Sequence, residues 1–401
     1  PLVMKKDEEG KKTEPLVGFF LAGNGTSIID GRPSPIGYWK AKDDVLTSIQ
    51  EDPLRKNPNG PGVFYNAEYL RLNDFEKVET TPNIASNSVN INAKLDFNTG
   101  PKTNFTVGGT FNYGKNQRYS EANLLFNTGN NGENMTYTWR SYARFTQRFY
   151  SSQSNEEAKS SSIKNAFYSI QVDYQQRVVK QYDPDFKDDL FKYGHYGAFK
   201  RFTAPSYNTF GLDSSTQRFG LLQSTFEDTL TGFTPSDNNP IIANIINDYY
   251  ETYGWLGYDS LGNPLKNPSL ADDPTTEQEN DFLRDMAALQ QNGGIRNGDS
   301  PRSVYDMWSF TGSQYNQYRN VDNTQFRFTA MGSADIKDHS FTVGVEYEQR
   351  TDRDFVISPT SLWTLGRLLS NNHVNNLDVW NPTIDLGFGG ERFSYDRLNS
   401  S

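Results

Sequence analysis

The sequence predicts an all-β chain forming part of a transmembrane antiparallel β-barrel, with long, partly helical loops on one side. Three observations carry that expectation: strict period-two alternation, strands about twice the usual ~5–6 residues, and short turns that alternate with long connections. The clearest case begins at Val89. Side chains in a strand point alternately to its two faces. Val89, Ile91, Ala93, Leu95 and Phe97 therefore share one face, and Asn90, Asn92, Lys94 and Asp96 the other. After Gly100, Pro101 and Lys102 the pattern returns, with Phe105, Val107, Phe111 and Tyr113 opposite Thr106, Thr110 and Asn112. Each run matches the ~9–11 residues with which a tilted strand crosses a bilayer.

The remaining elements follow in chain order. Pro15 to Asn24 reads as a first strand, apolar on both faces for part of its length. A long irregular stretch reaches about Ser86, with one helical candidate at Asp43–Glu51, whose acids stand at the dipole-favoured start. After a polar loop from Lys115 to Glu133, Met135, Tyr137, Trp139, Ala143, Phe145 and Phe149 alternate with Thr136, Thr138, Arg140, Tyr142, Arg144, Thr146 and Arg148. A fifth strand places Ala166, Tyr168, Ile170, Val172 and Tyr174 on one face. A sixth is expected at Phe191 to Phe202 and a seventh at Arg218 to Phe226, neither cleanly alternating. The longest interruption, Glu227 to Tyr318, is acidic and holds a second helical candidate at Thr276 to Gln291. Two further strands, at about Gln325–Ile336 and Phe341–Glu348, flank a turn at Lys337-Asp338-His339. The count is about nine, and the long loops fall at about 25–86, 227–318 and 352–401. An odd, unclosed set is expected to be a piece of a larger barrel whose closing strands lie elsewhere.

Composition agrees. Mean hydropathy is −0.75 and only 35% of residues are hydrophobic. A barrel needs apolar residues only at alternate positions, because lipid solvates its outer face; a soluble domain with so few would struggle to offset its conformational entropy. The alternative is a secreted, Tyr- and Asn-rich β-sandwich. A net charge of −10 argues against nucleic acid as partner. The absence of cysteine removes disulfides and thiolate metal sites.

Chemistry-bearing motifs are missing. His195, His339 and His373 are far apart in sequence, and His339 is expected in a solvent-exposed hairpin turn. There is no His-Glu-x-x-His, Gly-x-Ser-x-Gly or phosphate-binding Gly-x-x-x-x-Gly-Lys-Ser/Thr, and no Asp-x-Asx-x-Asx-Gly calcium loop. No catalytic, metal or cofactor site is expected, and no enzyme activity. The loop aromatics Tyr250, Trp255, Tyr258, Trp308 and Tyr315 either stack on a ligand or hold the loops together. Arg140, Arg144 and Arg148 share the polar face of one strand. Three such residues would be prohibitive in a dry core but cost little facing a wet lumen, where they either guide an anion or pair with neighbouring acids.

Four strings carry a family resemblance: Pro15-Leu-Val-Gly-Phe-Phe-Leu-Ala-Gly, Ile36-Gly-Tyr-Trp-Lys-Ala-Lys-Asp-Asp-Val-Leu46, Ile163-Lys-Asn-Ala-Phe-Tyr-Ser-Ile-Gln-Val-Asp-Tyr174 and Phe191-Lys-Tyr-Gly-His-Tyr-Gly-Ala-Phe-Lys200. They resemble the early barrel of large TonB-dependent outer-membrane receptors of Bacteroidota, of the Oar-like kind with a carboxypeptidase-regulatory-like domain, and more distantly SusC-type transporters. The resemblance implies a barrel of about 22 strands, an internal plug, and energised uptake of a large ligand such as an oligosaccharide, peptide or metal chelate. It implies outer-membrane lipid as surroundings and a TonB-type energy-transducing protein as partner, reached through an N-terminal region outside this chain; a surface lipoprotein is a further candidate partner. A transport-inactive, receptor-like barrel serving as a structural subunit of an envelope complex is the first alternative, and a secreted carbohydrate-binding β-protein the second.

The contrast between the long acidic stretch and the turn at Lys337–His339 predicts opposite sides of the membrane. An epitope inserted near Asp272 is expected to be labelled on intact cells, and one at Asp338 is not; the reverse pattern would invert this topology.

Overall fold

Long alternating strands satisfy their backbone groups only by pairing sideways, and here they pair with their neighbours in sequence. The computed structural model describes residues 3–6, 12–58, 63–100, 102–149, 163–212, 219–252, 255–258, 264–266, 294–370, 372–378, 383–387, 390–394 and 396–398. Its main sheet has eight antiparallel strands. They are β1 (Val3–Lys6), β2 (Lys12–Ile28), β3 (Ser86–Gly100), β4 (Thr103–Gln117), β5 (Glu133–Arg148), β6 (Ile163–Tyr182), β7 (Tyr318–Ile336) and β8 (His339–Ile357). Spatial order equals chain order, so the sheet is a meander with β1 and β8 at its edges.

The seven longer strands coincide with sequence-predicted ones and extend beyond them: β2 runs to Ile28, and β8 continues to Ile357 through the start of the predicted 352–401 loop. β1 is an addition. Ile336 pairs with His339, which narrows the turn to Lys337 and Asp338 and makes His339 a strand residue. The expected sixth and seventh strands are not part of this sheet. Residues 191–194 form a turn that closes on Gly194, at φ +69°. The chain then makes a separate two-stranded ribbon, Gly197–Leu212 with Phe219–Pro235, so β7 returns directly beside β6. That ribbon also reaches into the stretch read as loop from Glu227. The helical candidate at Thr276–Gln291 lies outside the described residues.

The ends of the strands are unequal. At one end sit the two-residue turns β3–β4 (101–102) and β7–β8 (337–338) and the β5–β6 connection (149–162), of which residues 150–162 lie outside the described residues. At the other sit the connections β2–β3 (29–85), β4–β5 (118–132) and β6–β7 (183–317), and the exit of β8. These long connections share a packed apolar core, here called the cap. Helix α1 (Asp43–Glu51), as predicted from its acidic start, contributes Leu46 and the buried Ile49. Helix α2 (Pro240–Thr252) contributes Ile242, Ile245, Ile246 and Tyr249. Asn239 caps it by accepting a hydrogen bond from Ile242 N at 3.1 Å, and Pro240 occupies the first turn, where its missing N–H costs nothing. Phe126 enters from the β4–β5 connection.

Contacts distant in sequence tie the cap together. Tyr65 stacks on Phe310 at 4.4 Å, and both rings are buried. Burial raises the Tyr65 phenol to about 12, and its oxygen accepts from Arg302 N at 3.0 Å. Gln50 on α1 donates to Thr311 Oγ1 at 2.8 Å, and Ala41 N donates to Leu125 O at 2.9 Å. Truncating a buried Phe costs about 3–5 kcal/mol. Phe310→Ala is therefore expected to make Trp308 fluorescence, isolated by replacing the other tryptophans with Phe, change at lower denaturant while the far-UV β-signal of the sheet persists. An unmoved, coincident transition would mean that this core does not hold the loops.

Candidate functional site

Residues paired across an antiparallel ladder project to the same side of the sheet, so the register of each ladder sorts every side chain to a face. One row reads Phe19, Leu95, Val107, Ala143, Val172, Phe328 and Tyr347 from β2 to β8. A second reads Val17, Phe97, Phe105, Phe145, Ile170, Ala330 and Val345. Aromatic rings cluster along the same face towards both ends of the strands: Phe145, Phe149 and Tyr168 near the short turns, and Trp139 against Tyr174 at 5.2 Å towards the cap. From Phe105 to Tyr113 this band runs about 26 Å along β4, at ~3.3 Å per residue.

This face is bare. Val107 and Val172, on central strands, are 38% and 40% exposed, and towards the edges Leu21 and Val343 reach 68% and 70%. The packed core lies in the cap at the strand ends, not over the sheet. No helix among the described residues is long and apolar enough to cross a membrane.

The opposite face carries a charged network. Arg140 binds Asp173 through both Nε and Nη2, and Arg327 Nη2 lies 3.8 Å from the same Asp173 Oδ1. Gln171 donates to Asp173 Oδ2 at 2.6 Å and accepts from Arg144 Nε at 2.6 Å. Asp96 takes Lys94 at 3.0 Å and the Thr106 hydroxyl at 2.7 Å. A polar cavity of about 150 Å³ opens among Arg140, Asp173, Gln175, Gln325 and Arg327. Tyr142 lies flat across Gly108, where a Cβ would stand 2.6 Å from the phenol oxygen, and its ring sits between Arg140 and Arg144 at 5.7 and 5.9 Å.

The sequence-predicted residues divide accordingly. Arg140, Arg144 and Arg148 share the polar face of β5; Arg140 and Arg144 join the network, while Arg148 is exposed near the short turn. Tyr250 is buried in the cap core and Trp308 packs against that core, so both hold loops together. Tyr315 is half-buried, with Arg118 over its ring at 5.9 Å. Trp255 and Tyr258 belong to a short strand, Trp255–Tyr258, whose side chains lie outside the described residues. His195 sits beneath helix α3 (Ser361–Ser370), stacked on Trp363, far along the chain from His339 at the opposite end of the sheet.

Sequence reasoning missed Asp173 and Arg327, although both stand on the polar side of strands it identified. It also missed Asp183, just beyond β6. Burial pushes this carboxyl up to about 6, against backbone donors at Asp185 and Tyr315 that favour its charged form. Among the described residues no group of His, Cys, Asp and Glu has the arrangement of a metal site. The chain matches no protein-family model, no curated protein and no solved structure.

Asp173 is nearly buried while its arginines are about one-third exposed. Charge-assisted hydrogen bonds of this kind contribute about 1.5–3 kcal/mol. Asp173→Ala is expected to lower stability by about that much and to do worse than Arg140→Ala/Asp173→Ala, which removes one of the stranded cations. Denaturant midpoints measure both; equal single and double mutants would show that the ion pair is not coupled.

Proposed function

We propose that the eight-stranded sheet is part of the wall of an outer-membrane β-barrel, and that the parent molecule is a TonB-dependent receptor that imports a large ligand. The bare apolar face carries this reading. A contiguous apolar surface across seven strands is far larger than the few hundred Å² that soluble monomers expose, and lipid is the solvent in which such a face costs nothing. Its height supports the same view. The ~26 Å along β4 becomes about 20 Å at a tilt of ~40°, close to the ~25 Å apolar band of known barrels. The polar face then lines a wet lumen, where the Arg140–Asp173–Arg327 network meets water and any enclosed plug.

The segregation of connections supports an orientation. The two-residue turns β3–β4 and β7–β8 suit the periplasmic side and the connections that build the cap the extracellular side, which supports a cap outside the cell. Closure of the barrel would require further strands pairing at β1 and β8. Capture by the cap followed by TonB-driven release is the mechanism implied by the resemblance of Pro15–Gly23, Ile36–Leu46, Ile163–Tyr174 and Phe191–Lys200 to this receptor class; the transport step rests on that analogy.

A single substitution separates lipid from water as the solvent of the apolar face. Val172 stands mid-strand on β6, and in water its replacement by arginine would be nearly neutral. In a bilayer, arginine near the midplane costs about 2–4 kcal/mol. The native protein extracted from outer membranes in mild detergent is expected to change gel mobility on boiling, as closed barrels do, and Val172→Arg is expected to reduce the folded, heat-modifiable form. TonB-dependent uptake is then the assay for transport. A protein that dissolves without detergent, shows no mobility change and tolerates Val172→Arg would remove the membrane reading.

A further inference from the structure

A second cavity, of about 360 Å³, lies in the cap beside α3. Ligand-sized pockets run from about 300 Å³ upward. Its walls come from three places distant in sequence: the start of the ribbon strand Gly197–Leu212, the segment around Arg296, and α3. Asn297 joins the first two, accepting from Tyr196 N at 2.8 Å and donating to Gly197 O at 2.7 Å. Arg367 joins the second to α3, donating to Asn297 O and, at 3.1 Å, to Thr364 Oγ1. Trp363 donates to Tyr193 O at 2.7 Å. The cavity is therefore held by hydrogen bonds on all sides.

Its chemistry is of two kinds. Three guanidinium groups line it, from Arg201, Arg296 and Arg367. Arg296 and Arg367 are only about one-fifth exposed, and Asp299 lies between them, 3.1 Å from Arg296 and 3.9 Å from Arg367. Burial and the neighbouring guanidinium groups push Arg367 below the usual arginine range. Rings and small residues make up the rest: Phe199, Ala198, Gly366 and Trp363, which stacks on His195 at 5.1 Å. The Asn238 amide meets His195 Nδ1 at 2.8 Å and holds the ring in place in the wall, where burial lowers the imidazole's pKa.

We propose that this cavity binds a small organic oxyanion, a carboxylate or phosphate head on a flat apolar body. The arginines hold the head, since planar guanidinium forks match both oxyanions, and Trp363 and Phe199 hold the body. The assignment rests on the pocket alone and is independent of whether the sheet spans a membrane.

Gly366 supplies a clean test. It lines the cavity, and beyond its own stretch of helix no atom stands within 4 Å of where its Cβ would be. Gly366→Leu fills the space without touching a charge, and leucine suits a helix better than glycine. Arg201→Gln is the electrostatic counterpart; the Arg201 side chain reaches Ser370 Oγ at a long 3.5 Å. The full chain in mild detergent is titrated calorimetrically with benzoate, phenyl phosphate, inorganic phosphate and benzyl alcohol. Benzoate or phenyl phosphate is expected to saturate one site, with inorganic phosphate and the neutral benzyl alcohol at least about tenfold weaker. Arg201→Gln should weaken the aromatic anion about tenfold, and Gly366→Leu should abolish binding without lowering the thermal midpoint. Benzoate against phenyl phosphate identifies which head is preferred. No binding by either aromatic anion, equal binding of benzyl alcohol, or unchanged affinity in Gly366→Leu would each overturn the proposal.

Discussion

Register is the constraint on which everything else depends. Seven antiparallel ladders join eight strands, and the six from β2 to β8 must each hold the same parity for the apolar rows to run unbroken. A one-residue slip in any of them would move every side chain of the strands beyond it to the other face. Slipping β6 against β5 would put Asp173 among Val107 and Ala143 and turn Val172 toward Arg140. On the proposed reading the slip would turn that carboxylate toward lipid, at a cost the ladder hydrogen bonds could not offset. The Arg140–Asp173–Arg327 network thus does more than stabilise one spot, because it specifies the pairing of β5, β6 and β7 at once. Tyr142 over Gly108 plays the same part between β4 and β5, since only a glycine at that place admits the ring.

The cap solves a different problem. Its connections are too long and too polar to order themselves individually, yet they start from strand ends that the sheet already holds close together. That proximity lowers the entropic cost of bringing Ile49, Tyr65, Phe126, Ile242 and Phe310 into one core. A small apolar cluster then fixes segments widely separated in sequence. The rim carries the junction. Tyr182 at the end of β6 donates to Glu133 at the start of β5 at 2.8 Å, and Glu133 also takes Lys115 at 2.7 Å. Asp188 holds Lys180 at 2.9 Å and the Tyr318 hydroxyl at 2.9 Å, and those contacts keep its carboxyl below the usual range.

These two parts differ in how far the sequence discloses them. The sheet is legible because its code is local: Val89 to Phe97 alternate within a single strand, and α1 announces itself through Asp43 and Asp44. Helix α2 was legible in principle, through Asn239-Pro240 and the spacing of Ile242, Ile245, Ile246 and Tyr249, but Ile-Ile pairs satisfy strand and helix patterns equally over a short run. The ribbon after Gly197 misled because paired strands look alike whether or not they join the main sheet. The cap core was legible only as one of two roles open to Tyr250 and Trp308, and the arginine cavity could not be read at all. Tyr65 and Phe310 carry no mark of each other, and Arg201, Arg296 and Arg367 converge only after the ribbon, the Asn297 turn and α3 have been placed.

The two edges complete the physical case for the proposed wall. β8 presents 19 residues, and every one before Ile357 is exposed, with no helix or loop laid over the strand among the described residues. In water a long alternating edge is a template for pairing with other chains, and soluble proteins shorten, cover, charge or twist such edges away. Of these devices β8 has only charge. Its polar side bears Glu346, Glu348, Arg350, Asp352 and Asp354, while Phe341, Val343, Val345 and Tyr347 continue the apolar rows of the other face without a break. A strand that keeps both faces in phase with the sheet behind it is suited to a further strand of the same kind. On the proposed reading the edge is a seam between neighbouring strands of one barrel, and closure is what removes the hazard that an open sheet would carry.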